Sequence, residues 1–201
     1  MLTSPIAAFH PSNALTYVSL LSAMAAMLAA MRGGAAAAGA LIAVSVVADT
    51  FDGRFARRFS RTRAEQAFGV QLDSLSDAVA FGAAPCVCMT LLTPGASGWT
   101  QLASWTAVAL FAACAITRLA FYNITRIETP GRFTGLPVPV AALVWASTLL
   151  LNPGPGTSSA VLLAAAIAMV APLPFPRPSG PGLAAFAVWP LAVMAAHLAR
   201  L

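Results

Sequence analysis

The chain has 201 residues, 59% of them hydrophobic and only 8% charged, with a formal net charge of +5 and a mean hydropathy of +0.82. A soluble domain carries about a quarter charged residues, so a soluble globular protein is excluded, and the long continuous apolar runs point to membrane helices rather than a barrel. All eleven basic residues are arginine; they cluster between apolar runs, which argues for membrane loops and against a nucleic-acid partner.

The length fits one membrane-embedded domain over residues 1–201. No internal repeat is visible. The N-terminus has no basic n-region and no small-residue cleavage site, so no cleavable signal is expected. Apolar spans are predicted at 14–31, 36–57, 68–92, 100–122, 136–151, 157–172 and 182–199, each near the ~20 residues a bilayer requires. This gives an all-α integral membrane protein with a six-helix core and an extra C-terminal helix. Pro11-Ser12-Asn13 precedes the first span, where Asn13 offers an N-cap. Arg32-Gly33-Gly34, Thr93-Pro94-Gly95 and Asn152-Pro153-Gly154 separate later spans. Pro172 to Pro181 breaks the chain before the last span, which Pro190 is expected to kink.

With the N-terminus in the cytoplasm, the loops after spans two, four and six are cytoplasmic. They hold Arg54, Arg57, Arg58, Arg61, Arg63, Arg118, Arg126, Arg132 and Arg177, leaving only Arg32 and Arg200 elsewhere. This asymmetry follows the positive-inside rule. Cys86, Cys88 and Cys114 lie in apolar segments and read as packing residues. His10 and His197 sit near span ends and read as interfacial.

The chain's aspartates, Asp49, Asp52, Asp73 and Asp77, fall at the end of span two and the start of span three. A carboxylate at membrane depth costs roughly 2.5–3.5 kcal/mol, so their retention implies use. Asp49 and Asp52 are i, i+3 neighbours on one helix face; Asp73 and Asp77 are i, i+4 neighbours on another. Two facing helices would converge all four on a hard divalent cation, Mg²⁺ or Mn²⁺. Gly53, Ala56 and Gly69 are small residues that let a phosphate, ribose or base approach the backbone.

The string Asp49-x-x-Asp52-Gly53-x-x-Ala56-Arg57 … Gly69-x-x-x-Asp73-x-x-x-Asp77 resembles the signature of the CDP-alcohol phosphotransferase family, D-x2-D-G-x2-A-R-x8-G-x3-D-x3-D. Every fixed residue is present, but eleven residues separate Arg57 from Gly69, where the family pattern has eight. Residues 68–85 resemble the FGxxLDSLADxxSFGxAPA stretch of bacterial-type phosphatidylserine synthases. Residues 118–123 resemble their RLARFN, with Phe121 in place of its second Arg, and 133–139 resemble their FxGLPxP. Pro11 to Thr16 resembles the family's PNxLT opening.

The resemblance implies transfer of a phosphatidyl group from CDP-diacylglycerol to an alcohol, L-serine being favoured, with release of CMP. It implies Asp49, Asp52 and Asp73 as metal ligands, with Asp77 as general base that also touches metal. The nucleotide would lie against Asp49, Asp52, Gly53, Ala56, Arg57, Gly69 and Asp73. Arg118, Asn13 and Thr16 are candidates for the acceptor or a lipid phosphate; Asn13 and Thr16 also suit the wall of the nucleotide site but read first as helix-capping residues, and Arg118 reads equally as a topogenic cation. A homodimer in a bacterial or archaeal cytoplasmic membrane, with the site facing the cytoplasm, is expected. Small-residue stretches at Ala35–Ala43 and Ala107–Ala115 suit close packing, between protomers or within one. Two alternatives stay open. One is the same chemistry with glycerol phosphate, inositol, inositol phosphate or choline as acceptor. The other is a divalent-cation transporter, which would show repeated halves or helices broken around the acids.

Overall fold

The computed structural model describes residues 9–94, 97–128, 132–176 and 181–201. The side chains of Arg126 and Arg132, and all of Arg177, part of the arginine asymmetry, lie outside the described residues.

A short 3₁₀ turn, Pro11–Asn13, leads into α1 (Ala14–Met31). Helix α1 ends in a Schellman motif: Gly33, at φ 74°, is the left-handed residue, with Gly33 N bonded to Ala30 O and Gly34 N to Ala29 O. The reversal starts α2 (Ala35–Ala56) at once. Next comes a continuous rod: α3 (Arg63–Asp77), a π-helical segment Ala78–Ala83, and α4 (Ala84–Leu92). The rest is α5 (Gly98–Glu128), α6 (Val138–Leu149), α7 (Pro155–Val170) and α8 (Pro181–Leu198), with Pro190 inside α8.

Among the described residues, four helical stretches are long and apolar enough to cross a bilayer: Pro11–Met31, Ala35–Ala56, Arg63–Leu92 and Gly98–Thr125. Val138–Leu149, Pro155–Val170 and Ala187–Leu198 are shorter apolar helices. The all-α membrane class and the expected order of spans therefore stand. Helix α6 is shorter than the span expected at 136–151. Pro137 precedes it as N-cap, and the chain turns at Leu150 and Leu151 before Asn152 takes φ 46°.

Two small strands were not expected. Between α5 and α6, β1 (Arg132–Thr134) pairs antiparallel with β2 (Pro174–Pro176) beyond α7. Gly135 N to Leu173 O and Leu136 N to Ala168 O, both 2.9 Å, continue the junction.

Helix α2 is central, packing on α1, α6 and α8, while α5 packs on α7 and the π segment. Ala38, Ala40, Ala43, Ala107 and Ala115 are buried within the chain, so both small-residue stretches already serve close packing inside one protomer. The opposite face of α5 exposes Trp99, Leu102, Trp105, Leu110, Ile116 and Ile124, as suits a lipid-facing surface. His197 sits in the last turn of α8, near a span end as expected from the sequence. It is buried at 1% exposure, its ring seated where Gly39 carries no side chain. Cys86 and Cys88 are buried packing residues, as expected.

Candidate active site

The last turns of α2 carry Asp49 and Asp52; the middle and end of α3 carry Asp73 and Asp77. Carboxylate oxygens of Asp49, Asp52 and Asp73 lie within 4.8 Å of one another, and all three residues are half-buried. Three anions so close repel one another strongly in a partly desolvated site, and an all-oxygen donor set fits a hard divalent cation. Asp77 is not part of that triad. Its carboxyl is close enough to Asp49 and Asp73 to interact with both electrostatically.

A cavity of about 340 Å³ opens beside the carboxylates. It is lined by Asp52, Gly53, Ala56 and Arg57 of α2 and its cap, and by Gly69, Val70 and Asp73 of α3. Ser12, Asn13 and Thr16 close it from the start of α1, with Arg61 and Tyr122 completing the wall. The cavity thus gathers the small residues and Arg57 expected from the sequence around one face of the aspartates.

Asn13 sits at the N-cap of α1 but makes no capping hydrogen bond with its side chain. That corrects its reading as a cap: the 3₁₀ turn before it already shapes the helix start, freeing the amide to line the cavity. Its Oδ1 accepts from Ser12 Oγ at 3.3 Å. A Cβ at Gly69 would lie 3.1 Å from that Oδ1 and 3.5 Å from Arg61 Nη1, so the glycine permits the close approach of α3 to the start of α1. Thr16 is buried and its Oγ1 donates to Asp52 Oδ2 at 3.2 Å. Such a partner fixes the orientation of a ligating carboxylate.

Of the eleven residues between Arg57 and Gly69, the last six, residues 63–68, are already helix. Thr62 starts α3 with a capping box: Glu65 N donates to Thr62 Oγ1 (3.3 Å) and Thr62 N to Glu65 Oε2 (2.7 Å). The first turn and a half of α3 thus precedes Gly69, and the short connection that remains delivers Arg61 to the cavity. Arg61 read as a topogenic cation in the sequence; its proximity to Gly69 was not legible there.

Arg118 is buried, at 7% exposure. It does not line the aspartate cavity. It lines a neighbouring apolar one of about 270 Å³ with Thr117, Phe121, Thr134 and Met169, its guanidinium 5.3 Å from the centre of the Tyr122 ring. Tyr122 itself lines the aspartate cavity. Next to it, Asn123 Nδ2 donates to Ser74 Oγ at 2.8 Å, tying α5 to α3 beside Asp73. Directly after Asp77 the rod becomes π-helical, a local widening often found at functional sites.

A family model described as CDP-alcohol phosphatidyltransferase matches residues 9–172. The chain is 34% identical over 146 residues to the CDP-diacylglycerol–serine O-phosphatidyltransferase of Mycobacterium tuberculosis strain H37Rv, covering 70% of this chain and 49% of that protein. It is 31% identical over 170 residues to the archaetidylserine synthase of Methanothermobacter thermautotrophicus, covering 84% of this chain and 70% of that protein. Against the CDP-diacylglycerol–serine O-phosphatidyltransferase of Helicobacter pylori strain J99 it is 39% identical over 114 residues, 56% of this chain and 45% of that protein. The chain thus spans about half the length of these bacterial relatives. The match from 9 to 172 takes in the start of α1, all four aspartates and both cavities, and the chain belongs to the CDP-alcohol phosphatidyltransferase family.

Proposed function

We propose that this chain transfers a phosphatidyl group from CDP-diacylglycerol to the hydroxyl of L-serine, releasing CMP. The observation that carries the reading is the convergence of Asp49, Asp52 and Asp73 beside a cavity walled by glycines and arginines. The names of the relatives support serine as the acceptor.

Asp49, Asp52 and Asp73 would hold a divalent cation, Mg²⁺ or Mn²⁺, with Asp77 adjoining. Bound there, the ion supplies charge neutralisation at the pyrophosphate and the departing CMP. Gly53, Ala56 and Gly69 leave the backbone bare for the nucleotide. Arg57 and Arg61 offer guanidinium groups to phosphate oxygens, the strong charge-assisted class of hydrogen bond. Asp77 accepts the proton of the serine hydroxyl as its oxygen bonds to the lipid-bearing phosphorus and the bond to CMP breaks. Arg118 takes the serine carboxylate, with Tyr122 of the nucleotide cavity beside it.

The arginine distribution supports a site facing the cytoplasm, and the family resemblance supports a homodimer with a complete site in each protomer. A transporter reading leaves Gly53, Arg57 and Gly69 without a role.

The test is CMP release from CDP-diacylglycerol by the purified full-length chain, with serine, glycerol 3-phosphate, inositol, inositol phosphate or choline. Serine is expected to give the highest rate. If serine gives only background while another alcohol reacts, the acceptor is wrong and the chemistry stands. If none reacts with either metal, the transferase reading fails.

A further inference from the structure

The rod formed by α3, the π segment and α4 runs antiparallel to α5. Two contacts fix their register. A Cβ at Gly82 would stand 3.5 Å from the Ala115 Cβ, and Cys86 Sγ lies 3.5 Å from the Val108 carbonyl oxygen. Small residues at Gly82 and Ala115 let the two backbones meet closely. Ser74 and Asn123 stand eight residues further along on each helix, about 12 Å at 1.5 Å per residue. The packing there is different: α5 lies closely on the π segment but meets α3 only sparsely. Asn123 Nδ2 reaches across that gap to Ser74 Oγ, at 2.8 Å.

The bond has a defined direction. Ser74 Oγ donates its one hydrogen to Val70 O at 3.1 Å. Toward α5 it therefore only accepts, which requires the Asn123 amide to present its Nδ2. Each end of the bond adjoins the site. Ser74 follows Asp73 of the carboxylate triad, and Val70, which holds the Ser74 hydroxyl, lines the aspartate cavity. Asn123 follows Tyr122, which lines the same cavity and faces the Arg118 guanidinium across 5.3 Å. Helix α3 thus carries Asp73 and Asp77, α5 carries the Arg118–Tyr122 pair, and the Asn123–Ser74 bond joins the two at the level of the cavity.

We propose that the Asn123–Ser74 hydrogen bond is a clasp that holds the Arg118–Tyr122 face of α5 at its working distance from Asp73 and Asp77. Asn123 and Ser74 are then positioning residues for attack by the acceptor alcohol. This rests on the transfer reading above, in which Arg118 holds the acceptor and Asp77 takes its proton. One neutral hydrogen bond adds little to folding, whereas displacing a reacting group by about 1 Å costs about 10²-fold in rate. Loosening the clasp moves the Arg118–Tyr122 turn off α3, while the aspartates, all carried by α2 and α3, keep their arrangement. Water then competes with the alcohol. Its oxygen bonds to the lipid-bearing phosphorus, the bond to CMP breaks, its proton passes to Asp77, and phosphatidic acid leaves in place of phosphatidylserine.

The experiment uses the purified full-length chain with CDP-diacylglycerol, serine and Mg²⁺ or Mn²⁺, and follows CMP and phosphatidylserine separately. Wild type is compared with Asn123→Ala, Ser74→Ala and the double variant. Ser74→Ala raises helix propensity and so guards against a failure to fold. Each single variant should lower the kcat for phosphatidylserine by about 10–100-fold, and the double variant by no more than either one alone. The share of CMP not matched by phosphatidylserine should rise. CDP affinity and the half-saturating metal concentration should be unchanged, and Ser74→Thr, which keeps the hydroxyl, should recover most of the rate. Hydrogen exchange over the last turns of α5 should quicken in both single variants, whatever their activity. Wild-type kcat in either folded variant, an additive double variant, an unchanged share of unmatched CMP, or lost CDP binding overturns the clasp. If wild type transfers to no alcohol, the transfer reading fails by itself, and unchanged hydrogen exchange in the variants still decides against the clasp.

Discussion

Gly53→Ala separates the stability of the helix from the use of its surface. Gly53 stands beside Asp52 in the last turn of α2 and lines the aspartate cavity. A Cβ built there meets only Arg57 Nη1, at 3.8 Å, an ordinary van der Waals contact. The methyl therefore strains nothing in the protein itself, and alanine should add about 0.5–1 kcal/mol of helix stability over glycine. A phosphate or ribose resting on the backbone of residue 53 would overlap the same methyl. Overpacking of this kind costs about 1–3 kcal/mol. At about 1.4 kcal/mol per decade of affinity, CDP should bind roughly five- to 150-fold more weakly. The assay pairs CDP-binding calorimetry with thermal unfolding of the same detergent-solubilised sample. The expected outcome is weaker binding at an unchanged or higher Tm. Wild-type affinity in the folded variant would refute the placement of the nucleotide against α2. Gly69→Ala is the contrasting case: its Cβ would crowd Asn13 Oδ1 at 3.1 Å, so α1 or Asn13 must shift even without ligand.

Other substitutions test the remaining roles. Asp77→Asn should keep CDP binding and lose turnover by about 10²–10⁴; normal turnover would mean the proton goes elsewhere. Arg61→Gln should weaken CDP binding by about tenfold, in line with loss of a charge-assisted bond, and unchanged affinity would return Arg61 to a purely topogenic role. Thr16→Val removes the donor to Asp52 at nearly constant volume. It should raise the Mg²⁺ concentration for half-maximal activity by about tenfold or more, with little change at saturating metal; an unaltered metal curve would show that Asp52 needs no such support.

The sequence made some of this legible and hid the rest for physical reasons. Glycine and proline punctuation marked most of the span ends, and arginines marked the break between the second and third spans, where residues 58–67 hold neither glycine nor proline. The aspartates were legible because a carboxylate among apolar residues is costly and persists only where it binds or reacts with something. What stayed hidden was which face of each helix meets which neighbour. Lipid is as apolar as the protein interior, so the apolar stripe that marks the buried side of a soluble helix is faint here. Hence nothing in the sequence signalled that His197 packs between α2 and α6, nor whether Ala35–Ala43 packed inside or between protomers. Arg61 was one of several loop arginines until the Thr62 capping box fixed where α3 begins. The β1–β2 pairing joins segments about forty residues apart with little local signal, because two of the three β2 residues are proline.

The central claim is a metal-dependent transfer at the carboxylate triad, and metal-resolved CMP release tests it most directly. Purified chain with CDP-diacylglycerol and serine should release no CMP in excess chelator and regain its rate when Mg²⁺ or Mn²⁺ is added back. Full CMP release in excess chelator would contradict the account.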